Sequence, residues 1–453
     1  MGLLLGVLTF AVYMVGSNRS FGYDAAATFA NFIATPSLLD AFAFRSVIPT
    51  IPVTQVATND HVLLSLASHV IFSLTGSRSE VVYRLLPGLA AGATVGLSTA
   101  VLTRRFGLIA GLCAGLFIAT DPLFVDNSRD LRGYSLAALG SVVGTLTLAL
   151  PIHGGAGPKG NGRRGMAGGA GAGWSRWHLV AYAIVMGLAM AAQLFAGVVL
   201  VCHVAWIATR RSRSDLLRPV PAWAGAAAIG IAANATIYFE ELTRHGLPPP
   251  LFNPTFPRDL ALFLVGAPVL LPVALWVAVL GLGLWTQWRR PWLWTTLAVV
   301  SAAVVVLWLG LRPAFLYPRF FVFLVPAIAY LMAAAIARWW VLAPVVVVGA
   351  VAAVIGQAPT YVEDPLALPQ AAAAVEQVHR SGQTACVVHS DEQVLSAYTS
   401  NFDVVTNADQ LEHCDVVVVV SWGVDLGLRD EAARRFPGLT TLPAYYPAVV
   451  LRR

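Results

Sequence analysis

Long apolar runs separated by short polar breaks recur along this chain from Leu3 to Gly356. Most approach the ~20 residues that cross a bilayer as an α-helix, and lipid offers no partner to an open backbone N–H or C=O, so the pattern predicts helices. The runs fall at 3–15, 81–103, 108–124, 134–151, 178–192, 194–209, 220–239, 260–286, 292–310, 319–337 and 340–356, about eleven spans. The first is short and lacks a basic flank, which is also the look of a signal-peptide core. No small-residue cleavage pattern follows it, and it reads as a span.

Two stretches break the pattern. Residues 17–79 form a long polar-to-amphipathic loop containing Pro36, Pro49 and Pro52, and it ends in HVLLSLASHVIFSLTG. That stretch is too short and too rich in His for a comfortable span, and it is expected to lie flat on the membrane surface. From Gln357 onward the pattern changes to short strands (TACVVHS, FDVVT, CDVVVVVSW, AVVLR) alternating with helices such as PQAAAAVEQVHRSG. This predicts a small α/β domain over 357–453 with parallel strands against helices, following a helical module over 1–356. The fold class is therefore an all-α polytopic membrane protein with a small C-terminal α/β domain.

Composition agrees: 57% of the 453 residues are hydrophobic and 11% are charged, where soluble domains carry roughly a quarter charged residues. The net charge of +6 does not mark a nucleic-acid binder, because the basic residues sit in clusters between apolar runs. Arg104 and Arg105, the Gly-rich loop with Lys159, Arg163, Arg164 and Arg176, the TRRSRSDLLR segment, QWRRP and Arg338 all fall on one side, cytoplasmic by the positive-inside rule. This holds only if WHLVAYAIVMGLAMAAQLFAGVVLVCHVAWIA is a hairpin turning near Gln193; a single tilted span would leave one basic loop outside. With the hairpin, the C-terminal domain is extracytoplasmic. A disulfide between Cys386 and Cys414 is then allowed, while Cys113 and Cys202 read as packing residues within helices. The Gly-rich loop is linker by composition, since a phosphate-binding loop needs a GKS or GKT after a strand. No metal-type cysteine spacing occurs.

The residues that can carry chemistry gather at the outer face. Asp24, in SFGYDAAATFANF, is placed to act as a general base toward a hydroxyl or to cap the helix opening at Ala25. Asn59, Asp60 and His61 open the surface helix, as caps and an interfacial His or as a group that positions a substrate. The segment DNSRDLRGYS puts Arg129, Arg132 and Tyr134 at the outer end of two spans. Arginine there runs against the topology preference, and two guanidiniums can hold a phosphate; ion pairs with Asp126 or Asp130, or lipid headgroups, are the structural alternative. LRPAFLYPRFF adds Arg312, Tyr317 and Arg319 on the same face.

At these residues the chain resembles the GT-C superfamily of polyprenyl-phosphate-sugar-dependent glycosyltransferases, in its protein O-mannosyltransferase-like and aminoarabinose-transferase-like branch. The resemblance is carried in order by YDAAATF, the long first outer loop, NDHVLLSLASHVIFSLTGSRSEVVYRLLPGLAAG, SRDLRGYSL and YPRFFVFLVPAIAYLMA. It implies transfer of a sugar from a polyprenyl phosphate to a lipid, glycan or protein acceptor at the extracytoplasmic face of a bacterial inner membrane, with inversion. Asp24 matches the catalytic base, with Asp60 as a second acidic candidate. Arg129, Arg132 and Arg319 match donor-phosphate positions, while Asn59, His61, Tyr134 and Tyr317 are candidates from the residues themselves for positioning acceptor or donor. The chain departs from the family pattern where many relatives carry Asp-Glu and this one has Asp24-Ala25, where His-Pro-Pro is His61-Val62-Leu63, and where a frequent hairpin His is Gln193. A divalent metal is not supported by the sequence. The alternatives are a flippase for a lipid-linked substrate, against which the lack of matching halves speaks, and an inactive scaffold of the same fold.

Overall fold

The computed structural model describes residues 1–42, 45–46, 56–57, 61–153, 174–209, 217–236, 255–264, 270–311, 317–362, 367–388, 392–419, 426–436, 438–441 and 449–452. Helix α1 (Gly2–Tyr13) lies antiparallel on α4 (Glu80–Phe106). Small residues dictate this crossing: Gly2 and Gly6 face Gly96 and Gly92, and a Cβ on Gly6 would sit 2.6 Å from the Gly92 carbonyl oxygen. Where lipid supplies no hydrophobic drive between helices, such Gly-x-x-x-Gly surfaces allow the close backbone packing that replaces it. Gly107, at φ 95°, turns the chain from α4 into α5 (Leu108–Thr120). A 57° bend then leads to α6 (Pro122–Ser128), whose first turn is capped by the Asp121 carboxylate accepting from Phe124 N–H at 2.9 Å.

Helix α7 (Tyr134–His153) runs back from the Asp24 end, and α8 (Arg176–Ala192) returns to it. At Gln193 the helix breaks, and α9 (Gly197–Ala208) follows. His203 on α9 accepts at Nδ1 from the Tyr182 hydroxyl of α8 at 2.9 Å. Its Nε2 donates to Thr145 Oγ1 of α7 at 3.0 Å, because that hydroxyl already gives its proton to the Ser141 carbonyl. In one continuous helix Tyr182 and His203 would stand about 30 Å apart. Their direct contact makes α8 and α9 the two arms of a hairpin turning at Gln193.

The bundle continues with α10 (Val220–Ala233), α11 (Phe256–Leu264), α12 (Leu270–Gln287), α13 (Pro291–Val305), a 3₁₀ segment Pro318–Leu324, α14 (Val325–Arg338) and α15 (Ala343–Val362). Within the span expected over 260–286 the described residues form α11 and α12, and 265–269 lie outside the described residues. Arg105 and Trp292 both meet Tyr330, so the basic breaks after α4 and α12 lie at one end of the bundle, away from Asp24. Among the described residues, four helical stretches, Glu80–Phe106, Pro291–Trp308, Pro318–Arg338 and Trp340–Ala358, are long and apolar enough to cross a membrane, and the bent α5–α6 pair makes a fifth. Shorter apolar helices of 10–17 residues, among them α8 and α9, fill the rest of the bundle.

Helix α3 (Val62–Thr75) covers the stretch expected at the membrane surface. It buries Val62, Leu64, Ser65, Ser68 and His69 against protein, and His69 Nδ1 donates to the Ile33 carbonyl at 2.9 Å. Its remaining face exposes Val70 and Leu74.

The C-terminal unit opens with α16 (Leu368–Arg380), after α15 has run on to Val362. Its strands are β1 (Ala385–Val388), β2 (Asp403–Val405), β3 (Val416–Val419), β4 (Gly438–Thr441) and β5 (Val449–Arg452), in the order β2-β1-β3-β5-β4. The sheet is mixed rather than all parallel: β1 pairs parallel with β2 and β3, but β5 is antiparallel to β3 and β4. Strand β4 escapes the sequence pattern because GLTT is short and lacks alternation. Cys386 and Cys414 are disulfide-bonded across a separation of 28 residues. Closing a loop of that size stabilises the fold by about 3–4 kcal/mol in the chain-entropy account. Cys386→Ser with Cys414→Ser is accordingly expected to lower the denaturant midpoint of the C-terminal domain while the helical signal of the bundle persists, as circular dichroism would reveal.

Candidate active site

Asp24 lies in the first turn of α2 (Tyr23–Thr28), and Gly22, not Asp24, occupies the N-cap. The capping role open to it from sequence is therefore not the one it takes, although a carboxylate in a first turn is favoured by the helix dipole. The helix is wedged between bundle and C-terminal domain. Phe21, Ala25, Ala26 and Phe29 pack with Tyr83 and Leu131 on one side and with Leu368, Val394 and Ala397 on the other. The Tyr398 hydroxyl accepts from Phe21 N–H at 2.8 Å, and Arg78 donates to the Ala397 carbonyl at 2.7 Å. Burial beside the Glu80 carboxylate raises the Tyr398 pKa, so this hydroxyl keeps its proton. With one face so held, α2 presents Asp24 to the remaining side.

There two arginines from separate elements reach it. Arg132 NH2 lies 2.8 Å and Arg319 NH2 2.9 Å from the same carboxylate oxygen, Oδ2. Arg132 follows α6, and Arg319 opens the 3₁₀ segment, its guanidinium 4.5 Å over the Tyr317 ring. Burial by itself pushes the Asp24 pKa up, but the Arg132 and Arg319 charges outweigh it and hold the carboxyl below its ordinary value. With a lowered folded pKa, the pairing stabilises the fold above the ordinary carboxylate pKa of about 4 and is lost as pH falls through the lower folded value. One carboxylate against two guanidiniums leaves net positive charge, which favours an anion. Arg19, pulled down to about 10 by burial, then by Arg129 and Arg84, is pushed partly back by the Asp130 and Asp126 carboxylates.

The other site residues expected from sequence separate into distinct places. Arg129 is buried and donates through Nε and NH2 to the carbonyls of Tyr13 and Val15, closing the end of α1. His61 is fully buried rather than interfacial: Nδ1 donates to the Ala192 carbonyl at 2.8 Å and its ring meets Tyr134 edge-on at 4.7 Å. That carbonyl also packs on Gly133, where a Cβ would come within 2.1 Å of it, so only Gly fits beside Arg132. Gln193, at the position often held by His in the family the sequence resembles, uses Oε1 to accept from Phe195 N–H and so shapes the hairpin turn. Tyr317 is partly exposed and carries Arg319 on its ring. Asn59, Asp60 and Arg312 lie outside the described residues. Among the described residues no three His, Cys, Asp or Glu side chains gather as a metal-ligand set.

Arg84 is a residue that sequence reasoning passed over. It is buried one turn into α4 and donates to the carbonyls of Ser17, Arg19 and Ser20, at 2.6, 2.5 and 2.9 Å. It thereby ties the segment leading to Asp24 onto the bundle. An arginine inside an apolar run costs roughly 2.5–3.5 kcal/mol near mid-membrane, and that penalty is the signal that marks it.

No family model matches the sequence, and no curated protein does so. Solved structures do share its fold. ArnT, the aminoarabinose transferase, from Cupriavidus metallidurans in the apo state superposes with a TM-score of 0.60 at 14% identity, over 99% of this chain and 97% of that one. The same enzyme bound to undecaprenyl phosphate gives 0.59 at 13% identity with the same coverage. An oligosaccharyltransferase from Archaeoglobus fulgidus, tethered to an acceptor peptide, gives 0.52 at 14% identity, over 95% of this chain and 70% of that one. Matched over nearly its whole length by these structures, and built from apolar helices, the chain is a polytopic membrane protein with the GT-C fold.

Proposed function

We propose that the protein is a glycosyltransferase that moves a sugar from a polyprenyl-phosphate donor to a hydroxyl acceptor at the extracytoplasmic face, with inversion. The observation that carries this reading is the meeting of Arg132 and Arg319 on Asp24, a carboxylate and two phosphate-competent guanidiniums at one end of a membrane bundle. ArnT of the same fold binds undecaprenyl phosphate, which supports a lipid phosphate as the group those arginines meet. In the reaction Asp24 takes the proton of the acceptor hydroxyl, and the acceptor oxygen forms a bond to the anomeric carbon. The bond from that carbon to the phosphate oxygen breaks, and its electron pair leaves on the polyprenyl phosphate. Arg132 and Arg319 stabilise the charge that develops there. A phosphate leaves readily, so charge stabilisation matters more than a strong acid.

The hairpin at Gln193 supports the outward assignment, since it brings the basic breaks to one side and the Asp24 cluster with the C-terminal domain to the other. A disulfide in that domain fits an oxidising compartment. In whole cells, Gly160→Cys is expected to be shielded from impermeant thiol reagents and Ser381→Cys to be labelled. The reverse pattern would turn the site inward.

Incubating the purified protein with a panel of polyprenyl-phosphate sugars and watching for free polyprenyl phosphate tests the activity itself. An enzyme releases it, a flippase moves the donor intact, and a scaffold does neither. The sugar and the acceptor, whether lipid, glycan or protein, follow from the member of the panel that reacts.

A further inference from the structure

Resting on the donor reading above, we propose that in the empty site Asp24 serves as a latch on the two donor-binding arginines, and that the lipid phosphate displaces it, freeing the base only once the donor has bound. Both guanidiniums converge on Oδ2, a single oxygen of a single carboxylate. A phosphate offers more oxygens and more negative charge to the same two forks, so it is the better partner for both. The two arginines are also unequally held. The Arg132 side chain is 10% exposed, whereas that of Arg319 is 31% exposed and leans on a Tyr317 that is itself 41% exposed. Arg319 is therefore the arm that swings to an incoming phosphate, and Arg132 the fixed post.

The consequence for the base follows from its surroundings. While paired, the carboxylate is held in its ionised, weakly basic form by Arg132 and Arg319, with the buried His61 as the further group that favours its charge. Once the guanidiniums turn to the phosphate, the partial burial of Asp24, whose side chain is 38% exposed, is no longer offset by both ion pairs, and a carboxylate that loses its cationic partners is a stronger base. The acceptor hydroxyl thus meets a masked base in the empty enzyme and a competent one in the donor complex. This makes donor-first binding a property of the ion cluster and needs no moving lid.

The latch predicts a sign that an ordinary supporting role does not. If Asp24 only held the arginines in place for the donor, removing its charge would weaken donor binding. If it competes with the donor, Asp24→Asn should bind undecaprenyl phosphate at least tenfold more tightly than the wild-type full-length protein in nanodiscs. Asp130→Asn removes the same charge two residues from Arg132, where Asp130 accepts from Leu131 N–H, and should change affinity by no more than twofold. Equal or weaker binding by Asp24→Asn overturns the latch and leaves the donor reading intact. Failure of both wild type and variant to bind overturns the donor reading itself. Should Asp24→Asn fail to fold, wild-type protein can be coupled through carbodiimide to glycine ethyl ester and Asp24 mapped by mass spectrometry. Saturating inorganic phosphate should speed that modification, and an unchanged or slower rate overturns the proposal.

Discussion

Asp24→Asn is expected to lower sugar transfer by roughly 10²–10⁴-fold, the range a positioned general base contributes, with expression and detergent-stable folding retained and donor binding strengthened. The substitution preserves the shape of the side chain, and the packing that fixes α2 comes from Phe21, Ala25, Ala26 and Phe29 rather than from the carboxylate. The loss therefore reports proton removal and not collapse of the site. The measurement is single-turnover release of polyprenyl phosphate from whichever donor proves active. Full activity in the variant would remove Asp24 from the mechanism.

The second large effect separates two arginines that lie three positions apart. Arg132→Ala should reduce kcat/KM for the lipid donor by about 10²-fold, since truncating one partner of a close charge pair costs 2–5 kcal/mol and the same contact stabilises the leaving phosphate. Arg319→Ala should follow it with a smaller loss, its side chain being the more exposed of the two. Arg129→Ala should behave differently. Its guanidinium closes the carbonyls of Tyr13 and Val15, so its removal leaves buried acceptors unsatisfied and lowers thermal stability while the surviving folded enzyme keeps its donor KM. Steady-state kinetics beside a melting curve for each variant distinguishes the two outcomes. Matching donor kinetics in Arg132→Ala and wild type would sink the phosphate assignment.

These contrasts mark where sequence reasoning reaches its limit. Arg129 and Arg132 stand in one short motif, SRDLRG, and nothing in composition or spacing tells which turns toward α1 and which toward α2. Their roles diverge because the chain leaves α6 at Arg129 and is pressed against the Ala192 carbonyl at Gly133, and that geometry sends the side chains in different directions. His61 illustrates the same limit. Next to a polar stretch it reads as an interfacial residue, yet α8 ends directly over it and buries it. Conversely, the Gly-x-x-x-Gly spacings in α1 and α4 are visible in the sequence, but a spacing does not name its partner, and only the packed helices show that the two surfaces are for each other.

Hydropathy alone determined that the chain is a helical membrane protein followed by a small α/β unit, and the order of its motifs pointed to the GT-C fold. Those features are local: an apolar run must satisfy its own backbone hydrogen bonds wherever it sits. The hairpin at Gln193, the mixed sheet, and above all the convergence of Arg132 and Arg319 on Asp24 were decided by the tertiary structure. They depend on which distant segments are brought together, and a charge has no effect on another until packing sets the distance and excludes the water between them.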